Sequence, residues 1–400
     1  MHHRLRQLAI VVSLAICLAY LTFRLLFTLN LTTPYAIAIS IFLYVGELYG
    51  VFVLCLFFLQ VWDPTEPPQQ PILEGRSVDV FVPTYNEDPQ LLRATLEACL
   101  RMEYPHKTYV CDDGKRPAVK ALAEELGVQY MIRTDNRHAK AGNLNHAFEK
   151  TDGEFIIILH ADHVPEPQFI TRLIGYFKDE NLGFVQTPHA FYNFDSFQAR
   201  LDQKNRRYWE EGHLFYEVIQ PGRNRWGCPI FAGSAAMFRR VALKEVGYIA
   251  VETITEDMHT GMRVNARGWK SLAISDRLVA GQAAPDVTTF HSQRIRWGEG
   301  NLSIMAYDNP LTMKGLTLPQ RLCYLGSMVH WAGGLFKLAI YLTPILMMFS
   351  GVAPVAEFTW TLAILTLVYI LASVKGVSIA SNGFGSFFNG ELFCMVNFWT

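Results

Sequence analysis

The apolar residues of this 400-residue chain are gathered at its two ends, and that distribution limits the folds open to it more than any single motif does. Leu8 to Leu29 is apolar apart from Ser13, Thr22, Arg24 and Thr28, and Tyr35 to Trp62 is apolar apart from Ser40, Glu47 and Gln60. Each is long enough for a helix to cross the roughly 30 Å hydrocarbon core of a bilayer. The five residues Asn30 to Pro34 make the turn between them. A second pair, Tyr324 to Phe349 and Phe358 to Ala380, is separated by Ser350, Gly351 and Pro354. The spacing predicts a transmembrane helix pair within residues 1–62 and another over 324–380. No small-residue cleavage site follows the first span and a second comes at once, so a removed signal peptide is not expected. Arg4 and Arg6 precede the first pair, Lys314 and Arg321 the second, and the turns carry no Lys or Arg. The positive-inside rule then places both termini and the central region on the cytoplasmic side of the plasma (inner) membrane.

Four ionisable residues fall within these spans. Arg24 and Lys375 read as snorkelling to an interface, whereas Glu47 and Lys337 fit a polar path as well as a structural role. The 35 Lys+Arg nearly cancel the 36 Asp+Glu. With half the chain hydrophobic, that balance excludes disorder, and it lacks the basic footprint of a nucleic-acid binder. The seven cysteines, at 17, 55, 99, 111, 228, 323 and 394, show no metal spacing and fit a reducing compartment.

Residues 63–77, rich in proline and glutamine, form a linker. From Val78 short apolar runs alternate with amphipathic ones: strands at Val78–Val82, Thr108–Cys111, Val128–Ile132 and Phe155–Leu159, and helices at Leu91–Met102, Pro117–Leu126 and Ala141–Lys150. Strands alternating with helices of this length predict an α/β domain, over residues 78–300, with a parallel sheet and crossovers. Ligands of such sheets bind at the carboxyl ends of the strands, which is where Thr84, Asp112 and Asp162 fall. Any one of these residues alone reads as a cap or turn residue, but a series on one sheet edge points to a ligand. There is neither a GxGxxG nor a P-loop. Strand-end carboxylates can instead hold a nucleoside by its N–H and O–H groups and its diphosphate through a divalent cation. Lys140, in the run His138–Asn145 (HAKAGNLN), adds a cation at a helix start. A further helix is expected from Met258 to Ala266.

The stretches PTYNED (83–88), CDDG (111–114), HAKAGNLN (138–145), ADHVP (161–165), VQTPH (185–189), FAGSAA (231–236), ETITED (252–257), RGWKS (267–271) and QRIRW (293–297) then occur in order. In this the chain resembles the processive family-2 glycosyltransferases, and closely the catalytic subunit of bacterial cellulose synthase. The resemblance implies a cytosolic GT-A domain (Rossmann-like, nucleotide-diphospho-sugar transferase) between the two helix pairs, an interfacial segment over 301–323, and the start of another over 381–400. It implies an inverting transfer of glucose from UDP-glucose to the nonreducing end of a β-glucan, with Mg2+ or Mn2+. Donor contacts carry over to Thr84, Glu87, Asp112, Lys140, His160, Gln293 and Arg296, and acceptor contacts to Ala232, Glu256 and Trp297. Asp162 carries over as a metal ligand with His163 as an additional contact, and Asp257 as the general base. The partners implied are the UDP-sugar, the polysaccharide, membrane lipid, and a periplasmic export subunit or a second copy.

Three departures stand against that pattern. The first acid of the DxD motif is His160, the cysteine of the FFCGS motif is Ala232, and the chain stops at Thr400. Four helices are few for a polysaccharide channel, so a fragment, or a pore completed by another chain, is expected. No RxxxR with a PilZ-like domain follows, so no cyclic-di-GMP site is expected in this chain. The alternatives to polymer synthesis are a catalytically impaired scaffold and a transferase of one sugar to a lipid.

Overall fold

A computed structural model describes residues 3–193, 196, 211–385 and 390. Cys394 and most of the 381–400 segment therefore lie outside the described residues. The elements that matter here, in chain order, are α1 (His3–Phe23), α2 (Pro34–Gln60), β1 (Val78–Thr84), α3 (Pro89–Leu100), β2 (Lys107–Asp112), α4 (Pro117–Leu126), β3 (Gln129–Met131) and α5 (Ala139–Lys150). They continue as β4 (Phe155–Ile158), β5 (Val164–Pro165), β6 (Leu182–Gln186), β7 (Ala190–Phe191), β8 (Ala236–Arg239), α6 (Glu256–Ala266), β9 (Lys270–Ala273), β10 (Val279–Gly281) and α7 (Val287–Tyr307). The last are α8 (Leu318–Val329), α9 (Gly333–Ser350) and α10 (Trp360–Ala380). Two compact units result, residues 1–63 with 322–400, and residues 64–321.

In the first unit, α1 packs against α10 and α2 against α9. Four helical segments, His3–Thr28, Pro34–Gln60, Leu318–Ser350 and Trp360–Ala380, are long and apolar enough to cross a membrane. Thr33 starts α2 by accepting the Ala36 N–H, with Pro34 in the first turn, where its missing donor costs nothing. One sequence expectation is overturned here: Arg24 does not snorkel. It is 1% exposed, its Nε donates to Glu47 at 3.0 Å, and its Nη1 donates to Thr28 Oγ1 at 2.5 Å. Tyr20 donates to the same Glu47 carboxylate at 2.9 Å. The chain makes a π turn over Arg24–Thr28, and Glu47 on the facing helix supplies the counter-charge that a buried guanidinium needs. Lys375 lies exposed near the end of α10, and Lys337 is half-buried on α9.

The second unit is built on a seven-stranded sheet of order β3-β2-β1-β4-β8-β6-β9. Alternate residues of β1 and β4 serve opposite faces. Val78, Val80, Val82, Phe155 and Ile157 join one core, while Phe81, Ile156 and Ile158 join the other. Both faces are covered, so both strands read as continuous apolar runs. The β1, β2, β3 and β4 pairings are parallel, as expected, but β8 runs antiparallel to both β4 and β6, so the sheet is mixed. The parallel expectation held only as far as helices of crossover length separate the strands, which they do up to β4. Beyond it the chain reaches β8 by a long excursion that leaves its direction free. A small sheet, β5-β10-β7, lies outside the main one.

Candidate active site

The β1 and β2 strands end in register, Thr84 beside Asp112. Asp112 is fully buried and accepts from the N–H groups of Gly114 (3.0 Å) and Arg116 (2.7 Å), from Arg116 Nε (3.1 Å) and from Tyr130 Oη (3.0 Å). Arg116 also donates to Thr84 Oγ1 at 2.6 Å and to the Glu87 carbonyl at 2.6 Å. Burial pushes the Glu87 carboxyl up. Hydrogen bonds from Thr84 Oγ1 (2.7 Å) and the Tyr85 N–H (2.8 Å), with the Arg116 charge, outweigh it and hold the group below the usual carboxylate range. The three donor residues expected at this edge are thus one network, closed by an arginine.

The neighbouring Asp113 has a different task. It takes a bidentate pair from buried Arg133, at 2.6 Å for each bond, and Arg133 also donates to the carbonyls of Arg137 and Ala139. These bonds hold the turn into α5, where His138 (φ 61°) and Ala139 (φ 43°) occupy the left-handed region at a cost of about 1–3 kcal/mol each. The strained turn sets Lys140 in the first turn of α5. Its Nζ donates to the Gly233 carbonyl at 2.8 Å and to His160 Nε2 at 3.1 Å, and it pairs with Glu256 at 3.2 Å.

Gly233 (φ +83°) is the point around which this cluster closes. A Cβ there would lie 2.8 Å from Asp257 Oδ2 and 3.3 Å from Lys140 Nζ, so only glycine admits both groups. Asp257 stands in the first turn of α6 and accepts the Met258 N–H at 2.7 Å. Burial, then repulsion from Glu256, pushes its carboxyl up to about 7 against the opposing pull of Lys140. Tyr216 lies close enough to feel both Asp257 and Arg294, and burial drives its phenol far up.

Beside this cluster lie three imidazoles. The rings of His160 and His163 are 4.7 Å apart and those of His163 and His189 4.8 Å. Ser234 joins them: its Oγ accepts the His160 N–H at 2.8 Å and lies 2.7 Å from His163 Nδ1, and its carbonyl lies 3.1 Å from His189 Nε2. Burial, reinforced by nearby Lys140, depresses His160 far and His163 to about 3. Burial, followed by repulsion from His163, brings His189 to about 3 as well. All three rings are therefore neutral at physiological pH. Asp162 is raised, mainly by burial, and its Oδ2 accepts the Gln282 N–H at 3.3 Å. The ligand atoms of His160, Asp162 and His163 all lie within 4.8 Å of one another.

The QRIRW stretch lies inside α7, which Asp286 caps by accepting the Thr289 N–H. Arg294 is buried between the rings of Phe290 and Trp297, at 4.3 and 4.2 Å. The helix packs on the N-cap residue of α6 at Gly300, where a Cβ would come 2.8 Å from Thr255 Oγ1.

Comparison with known proteins agrees with this arrangement. The family described as Glycosyl transferase family 2 matches residues 79–247, and that described as Cellulose synthase matches residues 243–399. The Cellulose synthase catalytic subunit [UDP-forming] of Pseudomonas fluorescens (strain SBW25) is 37% identical over 393 residues, 95% of this chain and 52% of that protein. Cellulose synthase 2 of Novacetimonas hansenii is 37% identical over 374 residues, 92% of this chain and 23% of that protein. The chain is thus similar, over 92–96% of its length, to cellulose synthases, and the two family models adjoin on it. It spans about half the length of these relatives or less. Among solved structures, a mannosyltransferase from Pyrobaculum calidifontis in complex with GDP-Man and Mn2+ superposes with a TM-score of 0.61 at 20% identity, covering 90% of this chain and 98% of that one. The domain is therefore a GT-A fold with a mixed central sheet.

Within this domain the structure brings together Lys140, His160, Glu256 and Asp257, and beside them Asp162 and His163. It joins Thr84, Glu87 and Asp112 in the separate network closed by Arg116. Ala232 precedes Gly233 of the first cluster in the chain, its N–H donating to Gln186 Oε1 at 2.9 Å. Gln293 is half-buried, Arg296 exposed and Trp297 44% exposed. Among the described residues no hydrogen bond links these three to Lys140, Asp257 or the strand-end acids. Sequence reasoning did not single out Arg116, Arg133, His189, Tyr216, Ser234 or Arg294. His189 and Ser234 lay within stretches already noted, VQTPH and FAGSAA, but nothing local showed that they meet.

Proposed function

We propose that this chain is the catalytic part of an inverting, processive β-glycosyltransferase that adds glucose from UDP-glucose to the nonreducing end of a β-glucan at a membrane. The observation that carries the reading is Asp257, a half-buried carboxyl beside Lys140 and Glu256, pushed up to about 7 where a base must both hold and release a proton near neutrality. In its ionised form Asp257 takes the proton of the acceptor hydroxyl as that oxygen attacks the anomeric carbon. The bond to UDP breaks on the opposite face, and an α-linked donor yields a β-linked product. The Lys140 ammonium stands where it can meet negative charge gathering on the departing diphosphate.

Thr84, Glu87 and Asp112 accept from the nucleoside, with Arg116 withdrawing from part of its network to admit it. Gln293 and Arg296 hold the diphosphate, while Trp297, exposed on α7, gives the acceptor ring an apolar face. The donor set of one carboxylate and two neutral imidazoles fits a divalent cation, with His160, Asp162 and His163 as the residues that would hold it. Such a cation would offset charge on the diphosphate. The helices at both ends would anchor the domain on the cytoplasmic face, and lipid, an export subunit or a second copy would complete the passage for the polymer.

Membranes carrying the protein should convert radiolabelled UDP-glucose into a high-molecular-weight product that a β-glucanase degrades. Products of one added sugar on a lipid, or no turnover with Mg2+, Mn2+ or Co2+ supplied, would defeat the proposal.

A further inference from the structure

Magnesium favours near-octahedral oxygen ligands and loses its waters reluctantly, so a magnesium site is built mainly of carboxylates and carbonyls. The cluster beside Lys140 is built otherwise. It offers two imidazoles and a single carboxylate, from His160, His163 and Asp162. Two histidines and one carboxylate form a set that suits first-row transition metals and leaves positions open for oxygens of a second ligand.

The hydrogen bonds show that the nitrogen lone pairs are available. Lys140 Nζ has only protons to give, so its 3.1 Å bond to His160 Nε2 requires that nitrogen to be an acceptor. A cation at Nε2 takes over that lone pair, so the ammonium must swing off the ring, with the Gly233 carbonyl and Glu256 as its remaining partners. On His163, Nδ1 faces Ser234 Oγ, which already accepts the His160 N–H. The hydroxyl has a second lone pair for an Nδ1–H, and the tautomer so fixed presents Nε2 as the ligand. Gly281 keeps that edge of the ring clear: a Cβ there would sit 2.7 Å from His163 Nε2.

Resting on the glycosyltransferase reading of this site, we propose that His160 and His163 make it selective for a borderline transition-metal dication, of the Co2+ or Zn2+ kind, over Mg2+. His160 stands where the family's motif has an acid, and it is the specificity-determining residue.

The test uses the full chain, purified in detergent without a polyhistidine tag and titrated with Co2+ alone. The expected result is one equivalent bound with a visible d–d spectrum shaped by nitrogen ligands, resisting competition by a ~100-fold excess of Mg2+. His160→Asp replaces a nitrogen by an oxygen and should lower the preference for Co2+ over Mg2+ by ~10–100-fold. Gly281→Ala should alter the spectrum by displacing His163, with circular dichroism confirming a folded chain. A spectrum unchanged in His160→Asp and in His163→Ala, or Mg2+ displacing Co2+ at equal concentration, overturns the inference. Binding of UDP, followed by calorimetry with each metal, separates the two claims. UDP bound equally well with Mg2+ as with Co2+ sinks the selectivity and leaves the glycosyltransferase reading standing, whereas UDP bound under no condition sinks that reading itself.

Discussion

Replacing Lys140 by methionine tests whether the ammonium tunes the base as well as meeting the diphosphate. Because one point, the Gly233 Cβ position, lies 2.8 Å from Asp257 Oδ2 and 3.3 Å from Lys140 Nζ, the two atoms are no more than about 6 Å apart. At an effective dielectric of about 20, unit charges at that separation attract by about 3 kcal/mol, equivalent to roughly two pKa units. Lys140 is partly open to solvent and shares its charge with Glu256, so the shift realised in Asp257 should be about one to two units upward from its value near 7. The pH dependence of kcat/KM reports the free enzyme, which is the state described here. The ascending limb of the wild-type profile is expected near pH 7, because transfer requires the ionised carboxylate. In Lys140→Met it should move to about pH 8–9, with a lower plateau because the donor also loses a cation. A lowered plateau with the limb unmoved would show that Lys140 serves the donor alone. A limb displaced toward acid would refute the electrostatic reasoning.

Other consequences follow from the same structure. Asp257→Asn should lower transfer by ~10²–10⁴-fold while leaving UDP binding intact. Since the folded chain holds the Asp257 carboxyl above its unfolded value, the stability contribution of that group is lost as pH rises toward 7. The same variant should therefore melt higher than wild type at pH 8, by a clearly smaller margin at pH 5, and no higher below about pH 4, where both states hold the proton, measured by scanning fluorimetry. Glu47→Leu leaves the 1% exposed Arg24 without its counter-charge and should destabilise the membrane unit by ~3–5 kcal/mol, whereas adding Arg24→Met should restore most of the loss. Asp113→Ala removes the bidentate partner of buried Arg133, leaving it the looser 3.7 Å pair with exposed Asp135, and should cost ~1.5–3 kcal/mol, with a weakened affinity for UDP as the turn that presents Lys140 relaxes.

Much of this architecture can be read from the chain where local chemistry alone decides it. The apolar spans declare themselves by length, and α4 is bounded to the residue because Pro117 suits a first helical turn and Gly127 a left-handed stop. Strands β1, β2 and β4 are visible as buried runs. What escapes is decided by partners distant in sequence. Arg24 looks like a snorkelling residue until Glu47 is found facing it. Asp112 and Asp113 are adjacent in CDDG, yet one serves the strand-end network and the other a strut, a division set by where Arg116 and Arg133 lie. The helix around QRIRW is hard to see because Gly298 and Gly300 weaken its propensity, and Gly300 is there for a close approach to Thr255.

The reversed strand explains why the candidate site has two chemical characters. In a parallel strand only the carboxyl end reaches the ligand edge, and β1, β2 and β4 accordingly deliver Thr84, Asp112 and His160 from their ends. An antiparallel strand delivers its entry instead. Because Ile158 pairs with Ala236 and Gln186 pairs with the same residue, the segment 231–235 arrives between the ends of β4 and β6. Its three consecutive residues then divide the work. Ala232 is fixed to Gln186, the Gly233 carbonyl holds Lys140 beside Asp257, and Ser234 holds His160 and His163. A backbone shift in this segment cannot move the base without also moving the imidazoles. A substitution at Ala232, where the family has cysteine, should therefore change both the pH limb of transfer and the visible spectrum of bound Co2+. A change in one alone would show that the two halves of the site are mechanically independent.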